Sequence, residues 1–309
     1  MSATINVENL LDPRDQMNLY SQVKFSLPEY PRQVRIETSS FCNSSCGFCH
    51  AHGDFRPLTR EKGRMTGELF TLLLDDMAAW PAPLQELVPT NFGEVFMNKS
   101  WHWMLMEIAR RLPKTRLHIV TTGTLLNDQN LELLAQVPTL KYVNFSINAF
   151  FAESWERIHK VPAKHMPQAV QAVHKFRDRR PDVSVNVSMV HDPELVTEME
   201  KDLFKEYWAT FGSVTVSTVS FAGNPNRGPR VPVTLACRSV VDGLVIFDDG
   251  AVSNGCCFNG DNVPELRLGH FPEQGLLDIW RGDRIREIVE LHNSGRRQDL
   301  PLCKGCTFA

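Results

Sequence analysis

The chain has 309 residues, of which 42% are hydrophobic and 22% charged, and its formal net charge is −3. Such a composition is globular, and the length suits one large domain or one large and one small; the mixed charges offer no basic stripe, so nucleic acid is not an expected partner. The opening residues lack an apolar signal core and no run is long enough to span a membrane, so a cytoplasmic chain without a membrane partner is expected, and its eight cysteines should serve metal or catalysis rather than disulfides.

Residues 1–32 are polar, carry Pro13, Pro28 and Pro31, and read as a lead-in segment. Strands and helices then alternate. Residues 34–37 form a strand that enters a cysteine loop. Leu69, Leu72, Leu73, Met77 and Trp80 share one face of a helix starting near Thr66. Residues 86–89 are a strand; Trp101, Met104, Leu105, Ile108 and Leu112 mark a second helix. A strand over 117–120, a helix around 130–135 and a strand over 142–147 follow, then helical segments with Val170 and Val173. Val183, Val185, Val187 and Met189 alternate with polar residues as in a half-exposed strand. A helix carries Leu195, Met199 and Leu203, and 214–219 is the last strand of the series. Six such units predict an α/β fold with a parallel sheet, as in an incomplete barrel.

The run 221–232 is rich in Gly, Pro and Asn and reads as a linker. Beyond it, residues 244–247 and 251–253 flank Asp248-Asp249-Gly250, a hairpin signal. Leu276, Leu277, Ile279 and Trp280 mark a short helix, and another covers 284–292.

The first cysteines read Cys42-Asn-Ser-Ser-Cys46-Gly-Phe48-Cys49, directly after a strand. Three thiolates at this spacing can hold three corners of a [4Fe-4S] cube, and with no fourth cysteine nearby one iron stays open to a ligand. A closed zinc site would want four ligands; His50 and His52 are adjacent but not convincingly spaced. The motif resembles that of the radical S-adenosylmethionine (SAM) superfamily, CxxxCxΦxC, with Phe48 at the aromatic position. The resemblance covers about residues 33–220 and implies a partial (β/α)6 TIM-like barrel whose open iron chelates SAM. It also implies cofactor-binding roles. Gly93-Glu94 matches the GGE-type motif for the SAM ammonium, with Phe92 replacing the first glycine. Thr121-Thr122-Gly123 is similar to the TNG signature. Ser146 and Asn148 end the fourth strand where the ribose is met, and Asn186 and Ser188 lie on the fifth, on the SAM side.

Five cysteines remain: Cys237, Cys256, Cys257 and the CxxC pair Cys303 and Cys306. A CxxC pair suits zinc or an iron–sulfur cluster. With Cys237 before a hairpin and Cys256-Cys257 after it, residues 233–309 resemble a small C-terminal Twitch domain, the shortened relative of the SPASM domain. That resemblance implies an auxiliary [4Fe-4S] cluster on Cys237, Cys256, Cys303 and Cys306. Five residues separate Gly250 from Cys256 where the family has four, so Cys257 is an alternative ligand; the cysteine left over is either an inert thiol or a hydrogen-atom donor.

The activity implied is cleavage of SAM to a 5′-deoxyadenosyl radical that takes a hydrogen atom from a polar small molecule, a sugar or cyclitol in natural-product biosynthesis. Dehydrogenation follows if the substrate radical passes its electron to the auxiliary cluster, and epimerisation if Cys257 returns a hydrogen. Modification of a peptide substrate and a non-enzymatic iron–sulfur electron carrier are the competing readings. An external reductant such as flavodoxin or ferredoxin is expected as a partner.

Overall fold

The computed structural model describes residues 23–53, 60–219, 235–256, 263–304 and 306. Six strands run parallel in the spatial order β6-β5-β4-β3-β2-β1. They are β1 Gln33–Ile36, β2 Glu86–Val88, β3 Arg116–Thr121, β4 Leu140–Ser146, β5 Ser184–His191 and β6 Ser213–Thr218. The crossovers hold helices α1 Gly67–Ala78, α2 Trp101–Arg111, α3 Asp128–Ala135, α4 Ala152–His159, α5 Met166–Arg179 and α6 Glu198–Ala209. Strand-to-strand connections of this length return the chain parallel to itself. β6 does not pair back onto β1, so the barrel is partial.

Three helices start where a polar side chain closes an orphan amide. Thr66 Oγ1 accepts from the Leu69 N–H at 3.2 Å, Asn127 Oδ1 from Asn130 at 2.8 Å, and Thr197 Oγ1 from Glu200 at 3.2 Å. The helix expected around Leu195, Met199 and Leu203 begins only at Glu198; Leu195 precedes it and Met199 is 65% exposed. Its buried contacts are Phe204 and Trp208, one turn apart. Leu72 likewise points outward, and α1 buries Phe70, Leu73, Leu74 and Met77 instead.

Side chains alternate between the two faces of a strand. One face packs Val34, Ile36, Leu87, Ile119, Val143, Phe145, Val187 and Met189 with Phe70, Leu73, Ile108, Leu134, Phe176 and Phe204 of the helices in a single core. The other face is polar. Asn186 Nδ2 donates to Asn144 Oδ1 at 2.6 Å, Asn144 Nδ2 to Ser188 Oγ at 3.0 Å, and Thr215 Oγ1 to Asn186 Oδ1 at 3.1 Å. The alternation over 183–189 therefore does not mark a half-exposed strand: Asn186 is 2% exposed, because its polar face looks into the barrel, where neighbouring strands satisfy it. A closed barrel fills this space with layers of apolar side chains; here the lining leaves it hospitable to polar groups.

The C-terminal hairpin continues the same sheet. β7 Gly243–Ile246 pairs in parallel with β1, and β8 Ala251–Asn254 and β9 Arg267–His270 follow antiparallel. A Cβ on Gly243 would lie 1.9 Å from the Gln33 carbonyl oxygen, so the junction requires glycine. Short helices α7 Ser239–Asp242 and α8 Leu276–Trp280, then α9 Asp283–Asn293 and short α10 Pro301–Lys304, complete this half. Arg60 bridges the two halves, pairing with Glu37 after β1 and, at 2.8 Å, with Asp248 in the hairpin turn. Burial still pushes the Glu37 carboxyl up to about 7, against the pull of Arg60. No helix among the described residues is long and apolar enough to cross a membrane.

Candidate active site and auxiliary thiol site

Leaving β1, the chain folds over the C-terminal ends of the strands, the side where barrels of this type carry their chemistry. The cysteine loop is held by α4: the Ser45 N–H donates to the His159 carbonyl at 3.0 Å and the Gly47 N–H to that of Ile158 at 3.1 Å. The helix is itself fixed by Glu200, whose Oε1 accepts from the Phe150 and Phe151 amides at 2.9 and 3.0 Å and whose Oε2 accepts from Ser154 Oγ at 2.7 Å. A carboxylate at a helix N-terminus satisfies orphan amides and complements the dipole.

Cys42, Cys46 and Cys49 line one cavity of about 400 Å³ together with Phe48, Gly93, Glu94, Thr121, Thr122, Ser146 and Asn148. The structure thus brings together residues from the ends of four strands that the sequence only ordered along the chain. Asn186 and Ser188 share the polar face but do not line the cavity; they belong to the hydrogen-bonded floor with Asn144. Phe92, at the position of the motif's first glycine, also lines it. Asn148 is left-handed (φ 62°), a conformation asparagine tolerates, and its Oδ1 accepts from the Val190 N–H at 2.9 Å.

Burial pushes the Cys42 thiol up to about 12, with the Glu94 charge adding to it, and burial also raises Cys46 and Cys49. Ligation requires the thiolate, so metal binding here is coupled to proton release. A Cβ on Gly93 would sit 1.7 Å from the Ser39 carbonyl oxygen. Only glycine lets this backbone press against the cysteine loop, where the Glu94 N–H donates to the Phe41 carbonyl at 2.9 Å. The Glu94 side chain is buried; Oε2 accepts from the Thr122 N–H at 3.0 Å, and Oε1 has no hydrogen-bond partner among the described residues. Burial raises its pKa to about 7, opposed by the bond from Thr122. Thr90 Oγ1 and Asn91 Nδ2, on the same wall, also lack a partner among the described residues. Orphaned buried polar atoms cost free energy, and this set, with an acid at its centre, fits a ligand bearing a cationic donor beside three thiol ligands.

One neighbour escaped the sequence. His159 Nε2 lies 3.0 Å from the Ile147 carbonyl, which fixes the N–H there, so Nδ1 faces Cys46 Sγ at 3.4 Å as an acceptor. Burial lowers its pKa to about 4, and the ring stacks on Trp155 at 4.7 Å. Its only signal would be spatial, because 113 residues separate the pair.

Cys237, Cys256, Cys303 and Cys306 line a second, much smaller cavity. Cys256 is thus placed with the other three, whereas Cys257 and the linker 221–232 lie outside the described residues. Burial pushes the Cys303 thiol up to about 12, with Arg297 pulling the other way. Arg297 is fully buried and donates to the carbonyls of Leu235 at 2.7 Å and Cys306 at 3.4 Å. His292 accepts from the Cys237 N–H at 3.1 Å; burial and then Arg297 lower its pKa to about 4. Among the described residues no three His, Cys, Asp or Glu side chains converge on a single-ion position, whereas the corners of a cubane take their thiolates farther apart. Four thiols around a cavity with a buried guanidinium fit a cluster whose four thiolates leave it net negative.

A partial barrel with three thiols and a buried acid at its mouth, extended by a four-thiol hairpin domain, is the design of an enzyme that activates a bound cosubstrate on iron. The family model for the radical SAM superfamily matches residues 36–205, and the chain belongs to that superfamily. A model for an iron–sulfur cluster-binding domain matches residues 237–307. The chain is therefore a radical SAM enzyme, with a SAM-binding and an auxiliary [4Fe-4S] cluster. It is similar to the S-adenosyl-L-methionine-dependent 2-deoxy-scyllo-inosamine dehydrogenase of Niallia circulans, 21% identical over 88% of this chain and 91% of that one. Its fold is shared with BtrN in complex with AdoMet and 2-DOIA (TM-score 0.60, 17% identity, 92% and 94% of the two chains). The fold also matches anSMEcpe with bound AdoMet (TM-score 0.64, 15% identity, 89% and 88%) and Streptococcus suis SuiB bound to the precursor peptide SuiA (TM-score 0.59, 15% identity, 99% and 76%).

Proposed function

We propose that the enzyme dehydrogenates a polyhydroxylated small molecule, a cyclitol or aminocyclitol, converting a secondary alcohol to a ketone. The observation that carries this reading is the completeness of the second site. Cys256 lines that cavity with Cys237, Cys303 and Cys306; four thiolates on one cube would leave no open corner for substrate, which suits electron transfer. The likeness to an aminocyclitol dehydrogenase along nearly the whole of both chains points the same way.

In this reading Cys42, Cys46 and Cys49 hold the first cluster, and Cys237, Cys256, Cys303 and Cys306 the second. When bound and reduced, the first cluster supplies reductive cleavage of SAM to methionine and a 5′-deoxyadenosyl radical. Glu94 Oε1, the acceptor without a partner, takes the SAM ammonium, and Gly93 lets that wall approach. Phe48, Thr121, Thr122, Ser146 and Asn148 orient the rest of the cosubstrate; Asn186 and Ser188 support it from the floor. Residues 33–220 and 233–309 act as the two functional units, the linker 221–232 between them. Cys257, the hydrogen donor that epimerisation would need, has no task in an oxidation. Electrons come from a flavodoxin- or ferredoxin-type donor in a reducing, cytoplasmic setting.

The test is anaerobic reconstitution followed by turnover with 2-deoxy-scyllo-inosamine and related cyclitols. One ketone formed per 5′-deoxyadenosine is expected, unchanged in Cys257→Ala. An inverted alcohol with solvent deuterium at carbon, lost in Cys257→Ala, would overturn the oxidation in favour of epimerisation.

A further inference from the structure

Two side chains of the second cavity are not among the ligands assigned above. His292 Nδ1 accepts the Cys237 backbone N–H at 3.1 Å. A nitrogen that accepts carries no proton, so the ring proton sits on Nε2, and Nε2 lies 3.7 Å from Cys303 Sγ. The second is Arg297, a fully buried guanidinium lining the same cavity and anchored on the carbonyls of Leu235 and Cys306. Hydrogen bonds to cluster sulfurs and the net charge around a cluster set its reduction potential, and both features favour the more negative, reduced state.

We infer that His292 and Arg297 set the auxiliary cluster's potential, His292 by an N–H···S bond to Cys303 and Arg297 by a buried positive charge, so that the site can take an electron from the substrate radical. The inference rests on the assignment of the four thiols as cluster ligands. In the step concerned, the carbon radical left by hydrogen abstraction loses one electron, its hydroxyl loses a proton to solvent, and the C–O bond becomes C=O. The electron reduces the auxiliary site by one unit. A site without these two groups would hold the same cluster but accept that electron less readily.

The experiment uses the full chain with Cys42, Cys46 and Cys49 replaced by alanine, so that only the auxiliary cluster is present, and follows its reduction by electron paramagnetic resonance. His292→Phe should lower the reduced-to-oxidised ratio at a fixed potential about tenfold, which is about 59 mV for a one-electron couple. His292→Gln, which keeps an N–H donor, should recover part of the loss. Arg297→Met should shift the ratio in the same direction, and Arg297→Lys less. In the same triple-alanine chain, with His292 and Arg297 unchanged and labelled with ¹⁵N-histidine, the reduced auxiliary cluster should show coupling to one histidine nitrogen and one exchangeable proton. Unchanged potentials in His292→Phe and Arg297→Met with iron content intact would overturn the inference. If those variants fail to hold iron, the labelled chain decides, and absence of histidine coupling there overturns it. No substrate enters these measurements, so they stand or fall apart from the proposed oxidation.

Discussion

The two thiol sites use one ligand chemistry for opposite ends. At the first, three cysteines sit within a single loop between a parallel strand and its helix, beside a neutral His159 and a buried acid, Glu94, with an acceptor atom to spare. At the second, four cysteines are gathered from distant stretches of chain, and the neighbouring buried charge is a cation, Arg297. A buried acid beside a wide cavity invites a cationic cosubstrate. A buried cation beside four thiols would, on the proposed assignment, favour an added electron. On that reading, ligand count and the sign of the buried charge, more than the cysteines themselves, separate a site that binds from a site that accepts.

The sharpest way to break this comparison is to remove each set of thiols in turn. Cys42→Ala/Cys46→Ala/Cys49→Ala should abolish 5′-deoxyadenosine formation while retaining about four irons per chain, the content of one cube. Cys303→Ala should do the converse, leaving SAM cleavage measurable but ending oxidation of substrate; if it stops cleavage too, the sites are not separable. Next in size is Gly93→Ala. Its Cβ would meet the Ser39 carbonyl oxygen at 1.7 Å, and a forced backbone shift of that kind costs about 4 kcal/mol or more, read as a large fall in melting temperature or loss of soluble protein.

Glu94→Gln sharpens the electrostatic half of the contrast. Losing one charged hydrogen bond of about 1.5–3 kcal/mol should weaken SAM binding about 10- to 100-fold, measured by calorimetry. Because the Glu94 pKa is raised to about 7, the carboxylate needed for the ammonium predominates only above that pH. Wild-type affinity should therefore climb between about pH 6 and 8 while that of the variant stays flat. For the SAM-free fold the sign is reversed: a raised carboxyl pKa contributes stability at low pH that is lost as pH rises from the ordinary carboxyl range through about 7. Glu94→Gln should flatten that part of the melting curve against pH. The smallest effect is the control: Thr66→Ala removes the cap of α1, costs about 1 kcal/mol, and should leave both sites unchanged.

Much of this was legible along the chain. The strand–helix alternation, the helix start near Thr66 and the CxxxCxxC spacing are local signals, and they place Glu94, Thr122 and Ser146 at successive strand ends. What was not legible depends on distant contacts. Nothing near His159 announces Cys46, nothing near Glu200 announces the start of α4, and the buried polarity of Asn186 mimics a solvent-facing strand until Asn144 and Thr215 are seen beside it. β9 was missed because a four-residue strand containing Gly269 carries too short a pattern to register.

The pairing of β7 with β1 bears on any attempt to study the halves apart. Cut before residue 233, the barrel would keep its helices and first cysteine loop, yet all four residues of β1, Gln33 to Ile36, would lose their neighbours on one side. A bare, hydrophobic edge of that sort is a template for intermolecular pairing. The C-terminal module is therefore the edge guard of the catalytic sheet, and an excised barrel is expected to aggregate even where its own chemistry is intact.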